Sequence, residues 1–454
     1  MSRARSSAAV AEVGDRTSRT ASWAVFAVFF FNGFNFASWA SRLPAVRDSL
    51  GFAEAEMGLL LLFAATGSLI ALPLSGMVVQ RIGASRAVVV FATVSTAGLV
   101  VAVLGVGEGS PLAVRVGLFC FGVGTGVWDA AMNLEGAAVE QRLGKAIMPR
   151  FHAGFSFGTM AGAGVGIVAA ALFVPVQWHL VGAVSMSLVA VLWSVRYFLP
   201  AGEVHEADVA PDASADPATA AAPISAAENA RSAGRAWLEP RTLLIGLVVL
   251  AAALTEGAAN DWVSLAVVDG FGTSDAMGAV GLAVFLTAMT GMRLLGTGLL
   301  DRFGRVAILR VSAGLALVGL TIFALVPTLW AALVGVALWG TGAALGFPVG
   351  MSAASDDPRH AAVRVSVVAT IGYSAFFVGP PLIGFLAEVV GYREALLVIA
   401  LPVVVGLFAI SAARPLPGAA GFAPDAAAPA QGLGDQAEDR AQDPAEDVAT
   451  GQPN

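Results

Sequence analysis

The chain is poor in the residues that most functional classes depend on. It has one cysteine in 454 residues, Cys120, and that residue sits inside an apolar run, so no disulfide framework exists. Its four histidines are scattered and make no metal site with that cysteine. Lysine occurs once, at Lys145. Charged residues make up 13% of the chain, where soluble domains carry about a quarter. Hydrophobic residues make up 57%, and mean hydropathy is +0.78. This balance argues against a soluble enzyme, a disulfide scaffold and a nucleic-acid binder. No Gly-Lys-Ser/Thr phosphate loop is present, so the chain does not hydrolyse a nucleotide itself. The stretches Gly122–Gly126, Gly162–Gly166 and Gly340–Gly346 imitate such loops, but no strand precedes them. They read as small-residue packing faces, as does Gly158-x-x-x-Gly162-x-x-x-Gly166.

The charge that remains is uneven. The formal net charge is -7. Residues 201–240 hold seven acids and two bases, and residues 415–454 hold seven acids and one base. Both stretches are rich in alanine and proline and read as solvated, disordered segments.

Apolar runs dominate the rest. They lie at 22–44, 55–79, 86–107, 112–136, 151–174, 178–199, 241–267, 276–300, 305–326, 328–351, 362–387 and 393–412. Each is long enough to cross a bilayer as a helix, at about 20 residues per crossing. The runs are continuous and not alternating, which excludes barrel strands. The first is too long for a cleaved signal peptide, and no small-residue cleavage site closes it. The expected fold is therefore an all-α membrane protein of twelve transmembrane helices in two six-helix bundles. Its divisions are an N-terminal tail (1–21), a first bundle (22–199), an acidic linker (200–240), a second bundle (241–412) and an acidic tail (413–454).

Basic residues orient the chain. With the N-terminus inside, the inner segments collect 20 of the 25 bases, the outer ones collect four (Arg42, Arg47, Arg115, Arg393), and Arg293 lies within a span. Positive charge gathers on the cytoplasmic side, so both termini are expected there. The expected location is a bacterial cytoplasmic (inner) membrane.

An internal repeat divides the chain in two. "EAEMG" from Glu54 opens the second run, and "SDAMG" from Ser274 opens the eighth. The loops that follow are "GMVVQRIGASR" from Gly76 and "TGLLDRFGRV" from Thr297, with Gln80-Arg81-x-Gly83 aligning on Asp301-Arg302-x-Gly304. Matched motifs in corresponding loops indicate two homologous halves, an arrangement found in transporters with a site at the interface.

With these loops the sequence resembles the major facilitator superfamily over roughly residues 20–412. Asp301, Arg302, Gly304 and Arg305 look like that family's hallmark loop, Gly-x-x-x-Asp-Arg-x-Gly-Arg-Arg/Lys. The first-half copy keeps Gly76, Arg81, Gly83 and Arg86 but has Gln80 in place of the aspartate. The resemblance implies a gating loop that ties helices together on the cytoplasmic side, carried mainly by the second half. The stretches Ala37–Gly51, Trp128–Glu140 and Met148–Gly158 are similar to a bacterial branch near sugar-permease-like members. The family's first, fourth, seventh and tenth helices line its central cavity.

Polar residues inside the runs mark the candidate site. A charge at mid-membrane costs about 2.5–3.5 kcal/mol on insertion scales, so it faces a cavity or a partner. In the seventh run Glu256, Asn260 and Ser264 share one face, with Asp261 about 100° away. The first run carries Asn32, Asn35, Trp39 and Arg42. The fourth carries Gly122, Gly126, Asp129, Asn133 and Gly136, and the tenth offers Trp339. The candidate cavity residues are thus Asn32, Asn35, Trp39, Asp129, Asn133, Glu256, Asn260 and Trp339, with Glu256 and Asp129 as candidates for proton exchange. The structural alternative for Glu256 is a pair with a neighbouring helix. For Asp129 it is a pair with Arg293 or His152. Packing is the default for Trp339. Pro380 and Pro381 predict a kink in the eleventh run.

These features lead to an expected secondary active transporter, not an enzyme and without a cofactor. It would move a small hydrophilic solute, sugar-like among the candidates, by alternating access with proton coupling. Its partners are that solute, protons and the bilayer, with no nucleic acid, and a monomer is expected. One alternative is efflux of a drug or metabolite by proton antiport. An alternative of another class is a non-transporting membrane receptor or scaffold.

Overall fold

The structure, a computed structural model, describes residues 2–143, 147–199, 235–357 and 360–416. It contains twelve helices long and apolar enough to cross a membrane, and every one coincides with an apolar run of the sequence. With no water in hydrocarbon, each backbone amide must bond within its own segment, and a helix does this. The acidic linker (200–240) and tail (413–454) lie outside the described residues, apart from 235–240 and 413–416.

The first half comprises α1 (Ser2–Ala40), the short α2 (Leu43–Leu50), α3 (Glu54–Ile82), α4 (Ala84–Gly107), α5 (Pro111–Leu143), α6 (Met148–Ala171) and α7 (Val176–Ser194). The second comprises α8 (Pro240–Phe271), α9 (Asp275–Phe303), α10 (Arg305–Leu325), α11 (Leu329–Ala343), α12 (Gly346–Ala354), α13 (Ala361–Val390), α14 (Tyr392–Ala395) and α15 (Ala400–Ala409). Residues 2–21, expected as a tail, continue the helix of the first span. An even number of spans brings both ends of the bundle to one side, called here the terminal face. Large apolar side chains such as Val189, Val389 and Phe408 stand outward, as a lipid-facing surface requires.

The repeat is visible in the backbone. Gly83 ends α3 at φ 83°, ψ 155°, and Gly304 ends α9 at φ 76°, ψ 161°. A side chain at either φ would be strained, so glycine is required at both turns. Glycine seams repeat as well. Gly98 of α4 lies against the α5 backbone at Phe121, and Gly319 of α10 lies against the α11 backbone at Trp339. In the first half, Gly158 and Gly162 of α6 press on the carbonyls of Phe30 and Phe34 in α1, confirming the packing role of that small-residue series. Gly166, the third member, meets the side chain of Ser41.

Two spans depart from plain helices. The tenth breaks between α11 and α12 at Ala344 and Leu345, and the freed Ala344 carbonyl accepts a hydrogen bond from Arg293 Nε at 3.2 Å. The eleventh keeps Pro380 and Pro381 inside one unbroken helix. Pro380 presents its carbonyl to Gly58 of α3, where the missing side chain lets the two halves touch.

Candidate functional site

The two halves meet at the face opposite the termini. Gly58 of α3 abuts Pro380, and Gly384 of α13 abuts the start of α3 at Glu54 and Ala55. At the same level Arg47 of α2 bonds Asp48 within its own half, at 2.7 Å, and Asp269 of α8 in the other half. Its guanidinium also lies over the Tyr392 ring, 5.9 Å from the centroid. Burial works against the charge on Arg47, but the Asp269 and Asp48 bonds outweigh it and hold the pKa above the ordinary arginine value. Arg42 differs. Burial lowers its pKa, with Asp275 only partly offsetting, and Nη2 bonds the Val174 carbonyl at 2.9 Å.

Behind this closed end lies a cavity of about 400 Å³ between the halves. The first half lines it with Asn32, Phe36 and Trp39 of α1, with Ser68 of α3, and with Asp129 of α5. The second half supplies Asp261 of α8 and Tyr373, Phe376 and Phe377 of α13. Asn32 and Trp39 are each 4% exposed. Neither the Asn32 side-chain oxygen nor the Trp39 indole N–H has a hydrogen-bond partner among the described residues. The Asn32 side-chain nitrogen makes only a long contact, 3.9 Å, to the Met132 sulfur.

Three of the eight candidate cavity residues, Asn32, Trp39 and Asp129, therefore line the cavity. The other five are not part of its lining. Asn35 is buried with its side-chain oxygen unpartnered. Asn133 turns back on its own helix, its side-chain nitrogen donating to the Asp129 backbone carbonyl at 2.9 Å. Trp339 corrects an expectation: it is fully buried, with Phe285 5.6 Å and Phe323 6.1 Å away between ring centroids. It is a packing residue of the second half.

The seventh span is the main revision. Arg293 of α9 bonds Glu256 at 2.8 Å, and the same guanidinium holds the Ala344 carbonyl at the break in span ten. Ser264, two turns beyond Glu256, has its carbonyl against Gly278 of α9. The face shared by Glu256, Asn260 and Ser264 is thus the seam with α9. Asp261, about 100° away, is the carboxylate that lines the cavity. Helical periodicity gives the angle between these residues but not which of them meets a neighbouring helix.

The loop motifs also resolve unequally. Arg305 is buried and bonds Asp356 at 2.6 Å and Ser352 at 3.2 Å. Asp356 also accepts from Arg241 at 2.8 Å. Asp301, Arg302, Arg81 and Arg86 are exposed, Gly76 borders open space, and Gly83 and Gly304 cap their helices. Sequence reasoning missed Asp356, although it stands at the end of span ten as Glu135 stands near the end of span four. Glu135 accepts from the Leu199 backbone N–H at 2.7 Å. At the same face Arg364 forks onto Glu239 at 2.7 and 2.8 Å.

Twelve helices in two repeated bundles around a shared cavity define a membrane transporter of the two-bundle type. The sequence model of the Major Facilitator Superfamily matches residues 25–379 and 262–440. The chain belongs to that superfamily. It is 32% identical over 380 residues to the uncharacterized transporter y4wD of Sinorhizobium fredii, covering 83% of this chain and 92% of that one. It is 29% identical over 379 residues to membrane protein MosC of Rhizobium meliloti, covering 83% and 86%. Among solved structures, the nucleoside transporter NupG superposes with a TM-score of 0.66 at 15% identity, covering 86% of this chain and 98% of that one. A bacterial homologue of the lysosomal transporter Spinster, inward-facing and unoccupied, gives 0.65 at 15% identity, covering 87% and 97%. The fucose:proton symporter FucP of E. coli gives 0.57 at 16%, covering 87% and 98%. At these identities the structural likeness is one of fold.

Proposed function

We propose that the chain is a proton-coupled secondary transporter that moves a small polar solute by alternating access through the cavity between its halves. The observation that carries this reading is the cavity itself, closed at the face opposite the termini by Arg47, Asp269 and the α3–α13 contact. The gathering of arginines on the terminal face supports a cytoplasmic location for both termini. The closed end is then the outer one, and the conformation is inward-facing.

Asp129 and Asp261 carry the proton in this proposal, because they border the cavity and have no ion-pair partner among the described residues. Glu256 is committed to Arg293. Asn32, Ser68 and the Trp39 ring suit a hydroxylated solute, sugar-like among the candidates, with the indole as a stacking wall. The rings of Phe36, Phe121, Phe155, Phe376 and Phe377 favour a second reading, export of an amphipathic drug or metabolite by proton antiport. Direction separates the two. Cells lacking the protein either lose growth on a carbon source or become drug-sensitive.

The coupling test is solute flux in proteoliposomes under an imposed pH gradient. Asp129→Asn and Asp261→Asn are each expected to abolish accumulation while leaving downhill exchange. Glu256→Gln is expected to retain accumulation. The opposite pattern returns the coupling role to Glu256 and overturns the assignment.

A further inference from the structure

Among the described residues, the lining of the cavity contains two carboxylates and no arginine, lysine or histidine. The two come from opposite halves, Asp129 from α5 and Asp261 from α8. Neither has a hydrogen bond or ion pair from its carboxylate among the described residues. Three carboxylates elsewhere in the second half are paired: Glu256 with Arg293, Asp356 with Arg241 and Arg305, and Glu239 with Arg364.

An acidic pair alone does not make a binding site. Here it belongs to a formed volume with further unspent groups. Asn32 and Trp39, each 4% exposed, offer an amide oxygen and an indole N–H without a hydrogen-bond partner among the described residues. Trp39, Phe36, Phe155, Tyr373, Phe376 and Phe377 supply π faces on several sides. Anionic oxygens together with aromatic faces are the two surface types that attract an organic cation. The same surroundings repel an anionic solute, since like charges in a low-dielectric cavity interact strongly. The volume of about 400 Å³ sets the size. At about 30 Å³ for each water-sized group, it accepts on the order of a dozen non-hydrogen atoms.

We infer that the transported solute is a small organic cation, an amine of about a dozen non-hydrogen atoms, whose positive charge is met by the carboxylates of Asp129 and Asp261, one from each half, while its body lies on the aromatic walls. This rests on the transporter reading above and names the substrate class of the same cavity. Because the two carboxylates belong to different bundles, each half offers the cation one anionic group within the shared cavity.

Matched pairs differing in charge provide the test. The purified full-length protein is titrated with glucosamine and glucose, and with phenethylamine and 2-phenylethanol, and each binder is then offered to proteoliposomes. The charged member of at least one pair is expected to bind at least tenfold more tightly than its neutral twin. Asp129→Asn and Asp261→Asn should each remove that preference while keeping a cooperative thermal transition, which shows that the fold survives. Equal binding of the neutral twins, or no binding by any of the four, overturns the inference. If a neutral twin binds equally and is accumulated on a pH gradient, the transporter reading stands and the cation assignment falls. If a cation binds with the expected preference but none of the four crosses the membrane, the cation assignment stands and the transporter reading falls.

Discussion

Glu256 and Asp261 are five residues apart on α8 and serve different ends. Glu256 anchors Arg293, which in turn satisfies the carbonyl freed at the break in span ten. Removing one partner of a fully buried pair costs about 3–5 kcal/mol, but both groups here are partly exposed, so about 1–2 kcal/mol is expected for Glu256→Gln. The measurement is the thermal midpoint of the purified protein, which should fall while solute affinity stays unchanged. Two tryptophans divide in the same way. Trp339→Ala empties a site between Phe285 and Phe323 and should cost about 3–5 kcal/mol. Trp39→Phe should leave the thermal midpoint near that of the wild type and weaken binding of whichever probe enters the cavity. In the sequence each of these residues is one polar or bulky position within an apolar run. The exposed or buried side of a helix cannot be deduced from its composition when lipid, a neighbouring helix and a cavity all surround it.

At the scale of elements, glycines set how close helices come. A methyl at Gly158 would run into the Phe30 carbonyl and force α6 away from α1, whereas Gly164 borders open space. Overpacking costs about 1–3 kcal/mol, so Gly158→Ala should lower the thermal midpoint and Gly164→Ala should not. The clamp between α8 and α13 responds to acid. Burial pushes the Glu239 carboxyl up, but hydrogen bonds from Arg364 and Thr242 outweigh it and hold the pKa below the ordinary value of 4.5. A depressed folded-state pKa adds stability above the unfolded value, and the contribution disappears as pH falls through the folded one. The stability difference between wild type and Glu239→Gln should therefore be full at neutral pH and vanish in strong acid, as read by denaturation at several pH values. The repeated loops and glycine series were legible in the sequence because they are local. The Glu239–Arg364 contact was not, because it joins residues 125 positions apart.

For the whole molecule, the fold predicts accessibility. With Cys120→Ser as background, Ser68→Cys places a thiol in the cavity wall. It should react with a membrane-impermeant reagent offered from the terminal face and be protected from the other side. Weakening the closed end by Asp269→Asn should raise labelling from the opposite face, and the exchange Arg47→Asp with Asp269→Arg should restore protection. Labelling that ignores both changes would remove Arg47 and Asp269 as a gate.

The count of spans, the division into halves and the presence of buried polar groups followed from the sequence alone. They depend on composition over windows of about 20 residues and on a repeat that needs no third dimension. The tertiary structure decided which polar face is a seam and which is a cavity wall. It put Asp261 in the cavity and Glu256 against α9, sealed Trp339 in a packed core, and broke span ten at Ala344. Each outcome depends on the rotation of one helix against its neighbours, set by glycine contacts and ion pairs between residues far apart in the chain. Helical period constrains the angles within one helix and leaves that rotation open.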